Sequence, residues 1–139
     1  MVQVEAMNTY RRNLLAIAGV VLLVVLAACG SSGSITQTAQ TEHYTVQLSI
    51  EGMGLGERTA TIEIHDASGQ PVAADRVVLA PVMQQMGMAS PETTAQPLAP
   101  GRYQATGDFF SMLGEWDVDV QVQRSGAEEI ASFKVQVTQ

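Results

Sequence analysis

From residue 44 onward, apolar and polar side chains alternate with a period of two, the repeat of a strand that buries one face. Tyr44, Val46, Leu48 and Ile50 fall on one side, and Thr45, Gln47, Ser49 and Glu51 on the other. Ala60, Ile62 and Ile64 repeat the pattern against Thr61, Glu63 and His65, and Ser68-Gly69 before Pro71 marks a turn. The run from Val77 to Val82 is apolar at both parities, as in a central strand, although Pro81 argues against ladder pairing at its end. Residues 83–100 carry three prolines and no periodicity, so they read as a long loop. Pro100-Gly101 opens a strand through Tyr103 and Ala105 to about Phe109. Trp116, Val118, Val120 and Val122 form the cleanest alternation, and Phe133, Val135 and Val137 follow a Ser125-Gly126 turn.

No stretch beyond residue 42 has a helical period, and six or seven short strands fit an all-β domain. An immunoglobulin-like β-sandwich with Trp116 as a core anchor is the expected architecture, with a small β-barrel as the alternative.

The pattern is different at the N-terminus. Arg11 and Arg12 precede an apolar run from Leu14 to Ala28, and small residues surround Cys29, the layout of an export signal. Fifteen residues of helix reach about 22 Å, against about 30 Å of hydrocarbon, which argues against a permanent span. Leu26-Ala27-Ala28-Cys29 resembles the bacterial lipobox, which implies cleavage before Cys29 and a diacylglycerol on its sulfur. Met7 lies closer to the arginines than Met1 and is an alternative start. The expected organisation is a signal helix over 1–28, the lipidated Cys29 with a flexible tether over 29–42, and a domain over 43–139. That places the domain on the extracytoplasmic side of a bacterial membrane. As a Gly/Ser-like coil, the tether would have a root-mean-square reach of about 20 Å.

Composition narrows the chemistry. The formal net charge of −7 disfavours nucleic acid and anionic lipid surfaces as partners. The chain has one cysteine. If Cys29 carries lipid, no disulfide, thiol nucleophile or thiolate metal ligand is left, and soft-metal chemistry falls to methionine and histidine. No histidine has a nucleophile and an orienting acid near it in sequence, so an enzyme is not expected.

Met83, Met86 and Met88 fall within six residues, and Met112 precedes the Trp116 strand. A thioether is soft and neutral, suited to monovalent copper, and His43 or His65 would be the candidates to complete a mixed site. Two other readings of the methionines stay open: a plug for the end of the sandwich, and a contact patch for a partner. Glu115, Asp117 and Asp119 read as a solvated sheet face, and Gly52-Met53-Gly54-Leu55-Gly56 as a hairpin turn.

Several landmarks together resemble the YtkA-like domain, a small exported β-sandwich similar in appearance to FixH and copper-resistance domains. They are Asp66 to Val72, the Val77 to Leu79 strand, Met83 to Met88, Pro100-Gly101-Arg102-Tyr103, and Met112 to Val118, in family order across residues 44–138. The resemblance implies a sandwich, and copper association for part of the group. Met86-Gly87-Met88 keeps half of the family's methionine motif, while Gln84-Gln85 replaces its usual proline and no histidine follows. The expectation is thus a membrane-tethered copper(I) module with a copper protein or membrane complex as partner. The alternative is a non-metal accessory domain that uses the loop and the Phe109-Phe110 pair as a hydrophobic contact.

Overall fold

The computed structural model describes residues 33–139. The segment expected to be a signal peptide, and Cys29, lie outside the described residues. Two antiparallel sheets face each other as a β-sandwich. The first has the order β1-β2-β3-β8-β7, built from β1 (Ser34–Gln40), β2 (Tyr44–Glu51), β3 (Arg58–Asp66), β8 (Arg102–Gly107) and β7 (Gln96–Ala99). The second has the order β10-β9-β4-β5, from β10 (Ala127–Val137), β9 (Gly114–Arg124), β4 (Arg76–Met83) and β5 (Met88–Ala89), with β6 (Thr93–Thr94) also pairing β4. The sheets stay separate, so the barrel alternative is not formed.

The strands with strict alternation form as the pattern predicts. In β9, Trp116, Val118, Val120 and Val122 are buried, and in β2 Val46, Leu48 and Ile50 meet them from the opposite sheet. Trp116 is fully buried, with its ring 5.7 Å from that of Phe110 and its indole N–H donating to the Met112 carbonyl at 3.0 Å. Phe109 and Phe110 are buried as well. They belong to the core, which removes them from the contact surface expected of them.

Three expectations are corrected. Residues 34–40, read as part of the tether, form edge strand β1, paired with β2 from Ser34↔Glu51 to Gln40↔Thr45. Ile35 and Ala39 pack on the core, and the Gln37 side-chain amide donates to the Lys134 carbonyl at 2.6 Å. The supposed loop 83–100 contains one 3-10 turn (Gln84–Met86) and three short strands that carry the chain from the second sheet to the first. Along the edge of β4 that pairs with β5 and β6, the amides of Ser90 and Ala95 donate to the carbonyls of Pro81 and Val77, at 3.0 and 2.9 Å. Finally, Pro81 sits inside the ladder opposite Val118, where its missing N–H is tolerated.

Two details fix the end of the sandwich that holds Asp66. Gly101 has φ +74°, and a β-carbon there would lie 2.8 Å from Pro71 Cβ and 2.9 Å from the Ile64 carbonyl oxygen, so only glycine fits. Nearby, the buried Tyr103 hydroxyl accepts from the Ala74 amide at 2.7 Å and donates to its carbonyl at 3.2 Å. Tyr103→Phe strands both groups and is expected to cost about 1–3 kcal/mol in equilibrium urea unfolding. An unchanged midpoint would show that water replaces the hydroxyl.

Candidate functional site at the methionine end

Strand register locates the candidate ligands along the sandwich. Val137 pairs with Gly114, and the Thr138 amide donates to the Met53 carbonyl at 2.9 Å, so the β2–β3 turn meets the start of β9. The end of β4 arrives at the same place, since Val82 pairs with Asp117 and Met83 with Met88. Met112 lies in the turn before β9 and holds the Trp116 indole by its carbonyl. All five methionines among the described residues, Met53, Met83, Met86, Met88 and Met112, therefore collect at one end.

They are not equivalent. Met86 and Met88 are 60% and 38% exposed, on either side of Gly87, whose left-handed backbone (φ +59°) ends the 3-10 turn. Met53 and Met112 are half-buried. Met83 is only 4% exposed, and a β-carbon at Gly114 would touch its methyl carbon at 3.1 Å, so this expected loop ligand is a core side chain. Parity explains the burial: Met83 continues the inward set of Val77 and Leu79. The plug reading holds for Met83 and fails for Met86.

Sequence reading missed Met53, Leu55, Leu113 and Arg58 at this end. Leu55 and Leu113, at the same end, are 45% and 42% exposed. The glycine-rich 52–57 segment is the expected hairpin connection, shaped by Arg58. The guanidinium of that arginine donates to the carbonyls of Gly54 at 3.1 Å and Leu55 at 2.8 Å. β-Carbons at Gly52 and Gly54 would meet it at 3.0 and 2.9 Å, so the glycines leave room for the arginine that orders the loop. The only sequence signal was that rhythm of glycines ahead of an arginine.

Neither histidine reaches the methionines. His43 bonds to Glu129, which pairs with Val122, whereas Met83 lies level with Trp116; six residues of strand separate the two, about 20 Å. His65 pairs with Thr45 at the same far end. The mixed methionine–histidine site is therefore not assembled. His43 instead clamps β10 to the start of β2: Nδ1 lies 2.6 Å from Glu129 Oε1, and its amide donates to Oε2 at 3.0 Å.

That hydrogen bond and the charge of Glu129 raise the His43 pKa above the ordinary 6.5. Burial pulls Glu129 upward, but hydrogen bonds from Thr41 and from the His43 amide and ring outweigh it and leave the carboxyl below its usual range. Because the histidine pKa is raised on folding, the clamp stabilises fully below the unfolded histidine value and fades as pH rises through the folded one. The depressed carboxyl sets the acid limit, since its contribution is lost as pH falls through the folded glutamate value. Ring-proton NMR should place the His43 midpoint above 6.5, and Glu129→Gln should bring it back toward that value. A midpoint unmoved by Glu129→Gln would disprove the clamp.

The acids of the outer β9 face are engaged with β10. Lys134 donates to Asp117 at 2.9 Å and to Glu115 at 3.2 Å, and these carboxylates raise its pKa. Asp119 accepts from the Ser132 hydroxyl. Among the described residues no three His, Cys, Asp or Glu side chains gather as a metal site. The soft donors at the methionine end are thioethers, the neutral kind that suits monovalent copper and that hard cations avoid.

A family model described as YtkA-like matches residues 38–121, which is more than half of the chain. No curated protein and no solved structure matches.

Proposed function

The chain belongs to the YtkA-like family, and from that premise we propose that it is a non-enzymatic extracytoplasmic module, anchored by lipid at Cys29, that binds monovalent copper as cargo at its methionine end. The observation that supports this most is the collection of all five described methionines at one end of the sandwich, two of them exposed. Met86 and Met88 would take the ion first, because they reach solvent from one turn. Met53 and Met112, half-buried at the same end, would supply further thioethers. Met83 packs beneath, as support. Titration under reducing conditions against a competing chelator tests the reading, with Met86 and Met88 both replaced by leucine. Equal copper retention by the wild type and the variant would sink it.

A second reading rests on Leu55 and Leu113. Two exposed leucines at the methionine end favour a hydrophobic contact surface for a membrane-complex partner, with no metal involved. A wild-type protein that holds no copper while folded would favour this second reading.

The anchor has its own test. Cys29→Ser is expected to abolish incorporation of a fatty-acid probe and to leave unprocessed precursor. Label retained on that variant would refute lipidation at Cys29.

A further inference from the structure

We propose that the methionine end rests against the lipid interface of the membrane that holds Cys29, so that the domain stands tip-down on its anchor. This inference depends on the Cys29 anchor assigned above and goes beyond it. Strand β1 begins at the methionine end, because Ser34 pairs with Glu51 at the close of β2. Gly33 lies beside the β2–β3 turn, where a β-carbon on it would be 3.8 Å from Gly52 Cα and 4.0 Å from the Met53 amide nitrogen. Four Cα-to-Cα steps link Cys29 to Gly33, and covalent geometry limits that link to about 14 Å. The tether expected over 29–42 is too short to lift the domain clear, because seven of its residues are strand.

The surface held nearest the anchor is also the apolar one. Of the six large hydrophobic side chains exposed among the described residues, Leu55, Met86, Met88 and Leu113 lie at this end. Leu98 and Ile130 lie toward the other end, in strand positions next to Arg102 and beside Glu129. Side chains of this size on tight turns can enter the headgroup boundary of a bilayer, which accepts apolar groups to a depth of about 5–10 Å. Charge does not favour the contact. Glu51, Glu57 and Asp108 are exposed at the same end, Lys134 is held by Glu115 and Asp117, and Arg58 is committed to the 52–57 turn. The contact is therefore one of apolar side chains with a neutral headgroup layer, indifferent to salt and weakened by anionic lipid.

The test uses the full chain, processed and purified with its lipid, carrying Leu113→Cys or Ile130→Cys labelled with an environment-sensitive fluorophore. Lipidation occupies the native sulfur, so each variant has one reactive thiol. The two positions match in exposure, 42% and 50%, but sit at opposite ends. In phosphatidylcholine vesicles containing brominated acyl chains, the label at position 113 should be quenched several-fold more than the label at 130. Fatty-acid labelling of the same samples reports the anchor separately. Lipid-labelled protein with equal quenching at both positions, or none, would overturn the tip-down contact and leave the anchor standing. Absence of lipid on Cys29 would overturn the anchor and this inference with it. An emission shift of the label at 113 seen in native membranes, with no quenching in the vesicles, would replace the lipid surface with a protein partner.

Discussion

Trp116→Ala is expected to cost about 3–5 kcal/mol, the usual range for truncating a large buried aromatic. A domain of this size has roughly 5–15 kcal/mol in total, so the variant should lie close to its unfolding threshold at room temperature. The expectation rests on more than burial. The indole packs between the sheets with no exposed surface, tilts against Phe110, and donates to the Met112 carbonyl. Alanine would leave a cavity, loosen Phe110 and deprive the turn before β9 of its tie to the core. Trp116→Phe separates these effects, since it keeps most of the apolar volume and loses the donor. Urea unfolding should therefore rank wild type above Trp116→Phe and Trp116→Ala last. A near-wild-type midpoint for the alanine variant would show that the Trp116 pocket collapses without cost.

The strands that contain this core were legible because a sandwich buries one face of each strand, and burial writes itself as alternation. Val118, Val120 and Val122 against Asp119, Gln121 and Gln123 admit no other period. Strand β1 was hidden for the converse reason. Ser34-Ile35-Thr36-Gln37-Thr38-Ala39-Gln40 lies at an edge, the polar Gln37 shares the inner face with Ile35 and Ala39, and its ties are backbone pairs and the Gln37 amide, none of which needs an apolar side chain. β5 and β6 are two residues long and β7 contains Pro97, so none spans enough positions to show a period. Composition alone could not tell a polar edge strand from a tether.

The candidate site was half legible. The spacing of Met83, Met86 and Met88 and the loop position of Met112 pointed to one end of a sandwich, which the register confirms. Met53 was hidden inside a glycine rhythm that accounted for itself as a turn. Placement of the histidines depends on which strand ends are neighbours, and two sheets of antiparallel strands allow either end. The pairing of Glu129 with Val122 and the bond of His43 to Glu129 decide it for His43, and the pairing with Thr45 for His65.

Replacing both Met86 and Met88 by leucine is expected to weaken monovalent copper binding by at least about tenfold, or about 1.4 kcal/mol. Leucine keeps the apolar volume of methionine and removes only the sulfur, so a loss of copper without a loss of stability would be a ligand effect. Met83→Leu should behave differently: its side chain is buried against Gly114, so affinity should hold while the unfolding midpoint shifts. The pH profile adds an independent constraint. Thioethers do not titrate, so affinity carried by them should stay nearly flat between about pH 5 and 8, whereas an imidazole ligand would be lost toward the acid side. Because His43 and His65 lie at the other end of the sandwich, His43→Ala should change neither the affinity nor its pH dependence. Fading affinity below about pH 6.5 that His43→Ala abolished would mean the histidine reaches the metal. It would have to do so from another molecule, since the strands of its own chain hold it about 20 Å away.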